Sequence, residues 1–279
     1  MNTLDLLNIG SNKLKNRNII SHKLDSEILL SKVLSKSREF ILTNIDKKIN
    51  SQKVDEFNKL IEKRTSHEPI AYILKEKEFW SRKFFVDKGS LIPRPETELM
   101  VEKISKIYKN RAINILDIGT GSGCILISLI TELKNSRGIG VDISRDAIRI
   151  AKKNVKIHKL KNKIKLVNSS FSKMINKKFD LIVSNPPYIK RGEIKNLQLD
   201  IKSFEPKIAL DGGNDGLDVI TKVIYKSKEI LKNNGMLALE IGNEQFKQVS
   251  KILIRKNFRI DSIIKDYKNN VRCILSKLN

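Results

Sequence analysis

The sequence predicts an α/β protein in which a doubly wound, mostly parallel sheet is preceded by a small helical domain. Short apolar strands alternate with helical patterns from about residue 112 onward, which is typical of βαβ units. The first 75 or so residues contain little Gly or Pro and place apolar side chains at helical spacing. The last segment, 258–278, holds two strand patterns joined at Asn269-Asn270, with no helix between them. We therefore expect a terminal antiparallel hairpin in the sheet.

Local signals place the elements in order along the chain. Asp25 and Ser51 precede helical repeats and are expected to cap two helices. The aromatic, β-branched segment 78–89 predicts a short hairpin, and the prolines on both sides of Arg94 restrict the backbone that presents its side chain. Short apolar runs then predict parallel strands, with helical patterns between the first three of them: strands at 113–118, 138–143, 164–167, 179–184 and 236–241, and helices at 124–133 and 145–158.

These elements divide the chain into three parts. We expect a helical N-terminal domain over 1–76, a hairpin linker over 77–95, and the domain with strand–helix alternation over 96–279. A chain of 279 residues is long enough for each of the two domains to bury a core.

Composition restricts the class of protein. Hydrophobic residues make up 40% of the chain, which excludes disordered and collagen-like proteins. No apolar run approaches the ~18–20 residues of a membrane span, and the N-terminus lacks the apolar core of a secretion signal. The two cysteines, Cys124 and Cys273, form neither a disulfide framework nor a metal cluster. We expect a cytoplasmic protein with no membrane partner and no bound metal.

The chain is strongly basic, with 55 Lys and Arg against 31 Asp and Glu and a formal net charge of +24. A basic surface attracts phosphate, yet Lys far outnumbers Arg here and the lysines are spread over the whole chain. Phosphate-binding surfaces favour clustered Arg. We interpret the charge as compositional, do not expect direct nucleic-acid binding, and regard it as compatible with proximity to the ribosome.

A glycine-rich turn follows the first predicted parallel strand, in the segment Asp117-Ile-Gly119-Thr-Gly121-Ser-Gly123. Glycine permits positive φ and lets a ligand approach the backbone closely, and such a turn lies at the carboxyl end of its strand, where open α/β sheets bind ligands. The spacing matches neither a dinucleotide fingerprint nor a P-loop. A turn that serves packing alone is the alternative.

Asp142 ends the second predicted strand. Its carboxylate could accept hydrogen bonds from a ribose diol, or it could cap the next helix, a role that Ser144 could also fill. Taken together with the glycine turn, Asp142 predicts a nucleoside-like ligand without a pyrophosphate. S-adenosylmethionine fits this description.

The segment Asn185-Pro186-Pro187-Tyr188 follows the strand at 179–184 directly. The two prolines remove two N–H donors and fix φ, so that backbone carbonyls face out of a rigid turn. The side-chain carbonyl of Asn185 and the backbone carbonyl of Pro186 would form two acceptors for a planar NH₂ group. Tyr188 could pack its ring on that group. This geometry would orient a weakly nucleophilic nitrogen towards an activated methyl group.

At this point the chain resembles a known family over nearly its full length, the peptide chain release factor glutamine methyltransferases. The resemblance rests on six blocks: EPIAYILKEKEFW (68–80), LIPRPETELMVE (91–102), ILDIGTGSGCI (115–125), GVDIS (140–144), FDLIVSNPPYI (179–189) and FEPKIALDGGNDGLD (204–218). It implies a Rossmann-like methyltransferase domain and S-adenosyl-L-methionine as methyl donor. The substrate it implies is the glutamine of the Gly-Gly-Gln loop in class 1 release factors, with the N-terminal domain as the partner-docking module.

The resemblance also implies the site residues. The cofactor would be held by Gly119, Thr120, Gly121, Ser122, Gly123, Asp142, Ser170 and Asn185. The substrate amide would be held by Asn185, Pro186, Pro187 and Tyr188, with Asn185, Pro186 and Tyr188 as the catalytic residues. The family often has an acidic residue before the strand that leads to Asn185. Ser169-Ser170 stands there in this chain, and a serine could accept the adenine amino group in its place.

Two other functions share parts of this pattern. An adenine or cytosine amino-methyltransferase acting on DNA or RNA also needs a site for a planar NH₂ group, but such an enzyme extrudes its base and usually has a substantial recognition domain. A non-catalytic binding module could retain a decayed methyltransferase core. The intact glycine turn and the intact segment Asn185–Tyr188 favour an active enzyme.

Overall fold

The computed structural model describes residues 1–174 and 178–279, which form two compact units. The first unit contains Met1–Glu76 and Gln198–Phe204, and the second contains Lys77–Leu197 and Glu205–Asn279. Each unit has hydrophobic core residues of its own. No helix in the described ranges is both long enough and apolar enough to cross a membrane.

The helices are α1 Thr3–Lys15, α2 His22–Leu34, α3 Arg38–Thr43, α4 Ser51–Thr65, α5 Ile70–Leu74, α6 Pro95–Ile107, α7 Cys124–Glu132, α8 Arg145–Ile157, α9 Leu199–Phe204, α10 Asp218–Ile230 and α11 Phe246–Arg255. The strands are β1 Lys77–Phe79, β2 Arg82–Phe84, β3 Asn114–Ile118, β4 Arg137–Asp142, β5 Ile164–Asn168, β6 Phe179–Ser184, β7 Leu231–Glu240, β8 Phe258–Lys265 and β9 Val271–Leu278. Short 3₁₀ turns lie at 171–173, 191–196 and 207–209.

The first unit is a helical bundle. Helices α1, α2 and α4 pack around buried side chains that include Leu29, Phe57 and Ile61. The side chain of Asn2 caps α1 by accepting a hydrogen bond from the Asp5 backbone, and Asp5 accepts one in return from the Asn2 backbone. This reciprocal box satisfies two of the N–H groups that a helix start leaves unpaired.

Two predicted helix caps in this unit are wrong. Helix α2 begins three residues before Asp25, whose side chain is buried and forms an ion pair of 2.7 Å with Arg64 of α4. Helix α4 is capped by Asn50, whose side chain accepts a hydrogen bond from the Lys53 backbone at 2.9 Å, so Ser51 is its first helical residue. Asp25 therefore serves packing between helices, because a buried carboxylate needs an opposite charge.

The second unit confirms the predicted sheet. Its seven described strands are ordered β5-β4-β3-β6-β7-β9-β8, with β3 to β7 parallel. Strand β9 is antiparallel to β7, and β8 is antiparallel to β9, which confirms the terminal hairpin. Strands β1 and β2 form a separate two-stranded antiparallel sheet.

Helices cover both faces of the large sheet, and the strands supply side chains to each face in turn. Ile115 of β3 joins the core formed with α6 and α7, whereas the next residue, Leu116, joins the core formed with α10 and α11. Leu181 and Ile182 of β6 divide in the same way. This period of two explains why the inner strands are continuously apolar, since both faces are buried.

The chain order of the sheet creates a crevice. From β3 the chain proceeds outward to β4 and β5, then returns to the other side of β3 as β6. The register places Ile118 at the end of β3 beside Val141 of β4 and Ser184 of β6. The loops that leave these strands therefore diverge at their carboxyl ends, which is where open α/β sheets bind ligands.

Candidate active site

A cavity of about 450 Å³ lies at the carboxyl ends of β3, β4 and β6, and every residue that lines it belongs to the second unit. Its volume is in the range of small-molecule sites, ~300–1,000 Å³. The predicted site residues that line it are Gly119, Thr120, Gly121, Ser122, Asp142, Asn185, Pro186 and Pro187. The other three, Gly123, Ser170 and Tyr188, lie outside its lining.

The glycine turn forms one wall of the cavity. Gly119 and Gly121 have φ of +73° and +55°, in the left-handed region that favours glycine. A Cβ added at Gly119 would meet nothing within 4 Å, and one added at Gly121 would meet only a backbone oxygen at 3.9 Å. The backbone is therefore open to a ligand at both positions. At Gly123 an added Cβ would approach Ile127 at 3.2 Å, so this third glycine serves packing between the turn and its own helix.

Asp142 connects the glycine turn to the start of α8. One of its carboxylate oxygens accepts a hydrogen bond from the Gly121 backbone at 2.9 Å, and the other accepts one from the Ser144 backbone at 2.9 Å. Burial raises the pKa of Asp142, opposed by these backbone donors. Ser144 itself caps α8 by accepting from the Ala147 backbone. Each carboxylate oxygen of Asp142 still has a lone pair available to a ligand hydroxyl.

The two serines after β5 have different surroundings. Ser169 lines the cavity. The hydroxyl of Ser170 lies 2.7 Å from that of Ser172 and accepts a hydrogen bond from the Ser172 backbone, which caps the short 3₁₀ turn at 171–173. Phe171, the next residue, also lines the cavity. A contact with an adenine ring from this segment would thus involve Ser169 and Phe171 more directly than Ser170.

Asn185 lies between the cavity and the core of the second unit. The preceding residue, Ser184, donates a hydrogen bond to the Ile118 carbonyl at 2.8 Å and thereby joins the ends of β6 and β3. The side-chain NH₂ of Asn185 donates to the hydroxyl of Thr97 at 3.4 Å. The side-chain oxygen of Asn185 accepts no hydrogen bond from the described residues. It is thus available to a donor in the cavity.

A second loop holds the backbone that follows the two prolines. The Gly212 N–H donates to the Ile189 carbonyl at 2.8 Å. The buried side chain of Gln245 donates to the carbonyls of Tyr188 and Gly216 and accepts from the Gly242 N–H. The ring of Tyr188 lies against Gly242, where an added Cβ would approach it at 3.0 Å. Burial raises the pKa of the Tyr188 hydroxyl to about 12, so it stays protonated.

Arg94 lines the cavity from the start of α6. The carboxylate of Glu205 accepts a hydrogen bond from its guanidinium at 2.7 Å and another from the Ile92 backbone at 3.2 Å. Glu205 is buried whereas Arg94 is partly exposed. The buried carboxylate of Glu205 therefore holds the Arg94 guanidinium in place on the cavity wall. The flanking prolines restrict the backbone that carries it.

Asp117 lies beneath the glycine turn and is fully buried. One of its carboxylate oxygens accepts a hydrogen bond from the Thr120 hydroxyl at 2.7 Å, and the other has no partner among the described residues. Burial raises the pKa of Asp117 from its ordinary 3.8 to about 7. The turn is thus built over a carboxylate that is costly to ionise.

The buried position of Asp117 predicts a pH-dependent gain in stability for Asp117→Asn. The pKa of Asp117 is higher in the folded state than in the unfolded state, so folding favours the protonated carboxyl. The stability that this group contributes is therefore fully present below the unfolded pKa of 3.8 and is lost as the pH rises through about 7. We expect the variant's free energy of unfolding to gain on wild type by up to ~1.4 kcal/mol per pH unit over this window. Urea unfolding at pH 4, 5.5, 7 and 8.5 would measure it. A constant difference at all four pH values would contradict the shift.

The comparison with known proteins agrees with both units. The sequence profile of the PrmC N-terminal domain matches residues 5–74, and that of the methyltransferase small domain matches residues 86–202. Among solved structures, a ribosomal protein L11 methylase from Lactobacillus delbrueckii subsp. bulgaricus has a TM-score of 0.51 and 19% identity, over 68% of this chain and 82% of that one. This likeness concerns the fold.

Two curated relatives cover nearly the whole chain. A bifunctional methyltransferase of Rickettsia conorii is 38% identical over an alignment 296 positions long, gaps included, which covers 97% of this chain and 56% of the relative, so the chain spans a little over half of that protein. A release factor glutamine methyltransferase of Clostridium botulinum is 40% identical over 277 residues, 98% of each chain. With this identity over nearly the full length of both proteins, the chain belongs to the release factor glutamine methyltransferase family.

Proposed function

We propose that this protein uses S-adenosyl-L-methionine to methylate the side-chain amide nitrogen of the glutamine in the Gly-Gly-Gln loop of class 1 release factors. The observation that carries the proposal is one cavity that is lined both by the open glycine turn with Asp142 and by Asn185 and Pro186. The first set suits a nucleoside, and the second suits a planar amide. Membership of the family supports the choice of substrate.

The residues present fit the proposed cofactor. Gly119 and Gly121 leave the backbone open to it, and the Asp142 carboxylate has lone pairs for a ribose diol. Thr120, Ser122 and Ser169 also line this part of the cavity. When bound, the cofactor supplies a methyl group on a sulfonium, whose carbon is open to attack by a nitrogen lone pair. Within the described residues, no group of three or more His, Cys, Asp or Glu side chains is placed to bind a metal ion.

Asn185 and Pro186 would prepare the substrate nitrogen for reaction. An amide nitrogen is a weak nucleophile because its lone pair is delocalised into the carbonyl group. If the Asn185 side-chain oxygen and the Pro186 carbonyl each accept one N–H, the NH₂ group is held with its face towards the methyl group. Orientation of this kind can supply several kcal/mol, up to ~7–11 in favourable cases.

The proposal extends to the partner and the compartment. If the substrate is a Gly-Gly-Gln loop on a translation factor, the reaction would take place in the cytoplasm and close to the ribosome. The helical segment 1–76 would dock the body of the release factor, as proposed from the sequence. The net charge of +24 would favour encounter with acidic partners of this machinery.

The first experiment compares acceptors. We would incubate the purified chain with S-adenosylmethionine labelled in its methyl group in three separate reactions. One contains a class 1 release factor, one duplex DNA and one total RNA. We expect label in the release factor and none in the nucleic acids. Label in DNA or RNA alone would contradict the proposal and support a base amino-methyltransferase. Absence of transfer and of cofactor binding would support a non-catalytic module.

A further inference from the structure

Behind Asn185 lies a short hydrogen-bond chain that ends on a buried carboxylate. The hydroxyl of Thr97, in the first turn of α6, donates to the carboxylate of Glu240 at 2.6 Å. The NH₂ group of Asn185 donates to the same Thr97 hydroxyl at 3.4 Å. Glu240 ends β7, is only 4% exposed and does not line the cavity, whereas Thr97 and Asn185 do.

The direction of this chain follows from the chemistry of its end group. An ionised carboxylate only accepts hydrogen bonds. Thr97 must therefore give its single proton to Glu240, and its oxygen is left as an acceptor. Only the NH₂ end of the Asn185 amide can satisfy that acceptor, so the carbonyl end must point the other way. The proposed reaction requires this orientation, because the substrate NH₂ group needs an acceptor.

We propose that Glu240 is a positioning residue that, acting through Thr97, fixes which end of the Asn185 amide faces the substrate. This inference rests on the proposed function, since only an amide or amino substrate requires the oxygen end. Glu240 touches neither substrate nor cofactor in this scheme. Its part is to prevent the Asn185 side chain from turning over and presenting two N–H donors to the substrate N–H groups.

The surroundings of Glu240 make its charge state sensitive to pH. Burial raises its pKa to about 7, opposed by the hydrogen bond from Thr97, by the positive charge of Arg272 on β9 and by the nearby Asn185 side chain, while Glu96 on α6 adds to the rise. The charge of Glu240 also acts on three further titratable groups, namely Cys273 on β9, Cys124 on α7 and Tyr188. Burial raises the pKa of Cys124 and of Tyr188 to about 12, and it raises the pKa of Cys273 well above its ordinary value. These three stay protonated near neutral pH, so Glu240 is the group of this cluster that titrates there.

Protonation of Glu240 would remove the constraint on which way the hydrogen bonds between Asn185, Thr97 and Glu240 point. A carboxylic acid can donate to Thr97, which then donates to the oxygen of Asn185 and turns the amide over. We therefore expect kcat of the wild type to fall as the pH drops below about 7. A glutamine at 240 can donate as well as accept at every pH, so the low-pH limb should disappear in Glu240→Gln.

The test compares variants that alter the hydrogen-bond chain with little change in side-chain shape. We expect Glu240→Gln and Thr97→Val each to lower kcat for glutamine methylation by roughly 10- to 100-fold. Thr97→Ser keeps the hydroxyl and should keep most of the wild-type kcat. The double variant Thr97→Val/Glu240→Gln should be no slower than the slower single variant, because both changes break one chain. Glu229→Gln, at an exposed carboxylate on α10, is the control with unchanged kcat.

Binding measurements separate this inference from the proposed function. Calorimetry should give Glu240→Gln the wild-type affinity for S-adenosylmethionine, and thermal unfolding should show that it is folded. If wild type methylates the glutamine and Glu240→Gln has the same kcat and pH profile, the inference is wrong and the proposed function stands. A wild type that methylates no glutamine overturns both. A folded Thr97→Ser as slow as Thr97→Val would also overturn the inference, because the hydroxyl would then not be the relevant group.

Discussion

Asn185→Ala is expected to lower kcat for release factor methylation by on the order of 10²–10³-fold. A loss of this size is typical when one hydrogen-bonding group that stabilises the transition state is removed from an active site. Asn185 lines the cavity, and its NH₂ group is bonded to Thr97 while its side-chain oxygen accepts no hydrogen bond from the described residues. Removal of the Asn185 amide would leave the substrate NH₂ group with the Pro186 carbonyl as its one proposed acceptor, so the substrate amide would no longer be held in one orientation. Single-turnover kinetics with saturating release factor would measure the effect.

Two further measurements make this result specific. Binding of S-adenosylmethionine and of the release factor should change much less than kcat, because the glycine turn, Asp142 and the helical unit are untouched. Asn185→Asp keeps an oxygen acceptor but places a second carboxylate beside Glu240 and loses the N–H donors, so it should not restore activity. A near-normal kcat for Asn185→Ala would eliminate the amide-orienting role.

Asp142→Ala is expected to weaken binding of S-adenosylmethionine by roughly 10- to 150-fold, equivalent to ~1.5–3 kcal/mol for hydrogen bonds to a charged group. The carboxylate holds the Gly121 and Ser144 backbone N–H groups and is available to a ribose diol. The substitution therefore removes the ligand contact and loosens the glycine turn together. Isothermal titration calorimetry of the protein without substrate measures the affinity directly.

A neighbouring carboxylate provides the control for Asp142. Asp146, in the first turn of α8, is exposed, pairs with Arg149 and does not line the cavity. Asp146→Ala should retain the wild-type affinity. If the affinities of Asp142→Ala and Asp146→Ala were equal, Asp142 would have no place in the cofactor site, and its contacts would serve only the loop between β4 and α8.

The alternation of strands and helices in the second unit could be predicted because it is encoded locally. The bounds predicted for strand β6, Phe179–Ser184, are those observed, since the run is short, contains aromatic and β-branched residues and is followed by prolines, which together favour a strand over a helix. The terminal hairpin was predictable for a related reason: the short connection, which in the structure spans residues 266–270, leaves no room for a helix. The glycine turn and the segment after β6 met in one cavity because parallel strands share a carboxyl edge.

The errors concern contacts between residues far apart in sequence. Asp25 is a residue type that often caps helices. Its partner in the structure is Arg64, 39 residues later, and no local sequence pattern indicates this pairing. Glu205 and Glu240 were missed as parts of the site for the same reason, since their partners are Arg94 and Thr97. Glu240 did carry a signal. It lies at the end of a strand adjacent to β6, as Asp142 lies at the end of β4.

Two further predicted site residues, Tyr188 and Ser170, lie outside the cavity lining. Tyr188 belongs to a recognisable segment, yet its ring lies against Gly242 and its carbonyl accepts from Gln245. Ser170 caps a turn while Ser169 lines the cavity, a difference of one residue that depends on where β5 ends. Their roles towards cofactor and substrate stay predictions that ligand-bound measurements would decide.

The most direct measurement locates the transferred methyl group. After incubation of the chain with S-adenosylmethionine and a class 1 release factor, fragment-ion mass spectrometry of the factor's peptides would identify the modified atom. We predict one added methyl group on the side-chain nitrogen of the Gly-Gly-Gln glutamine, absent with Asn185→Ala. A methyl group on any other residue of the factor, or a Gly-Gly-Gln peptide that stays unmodified while the cofactor is consumed, would contradict it.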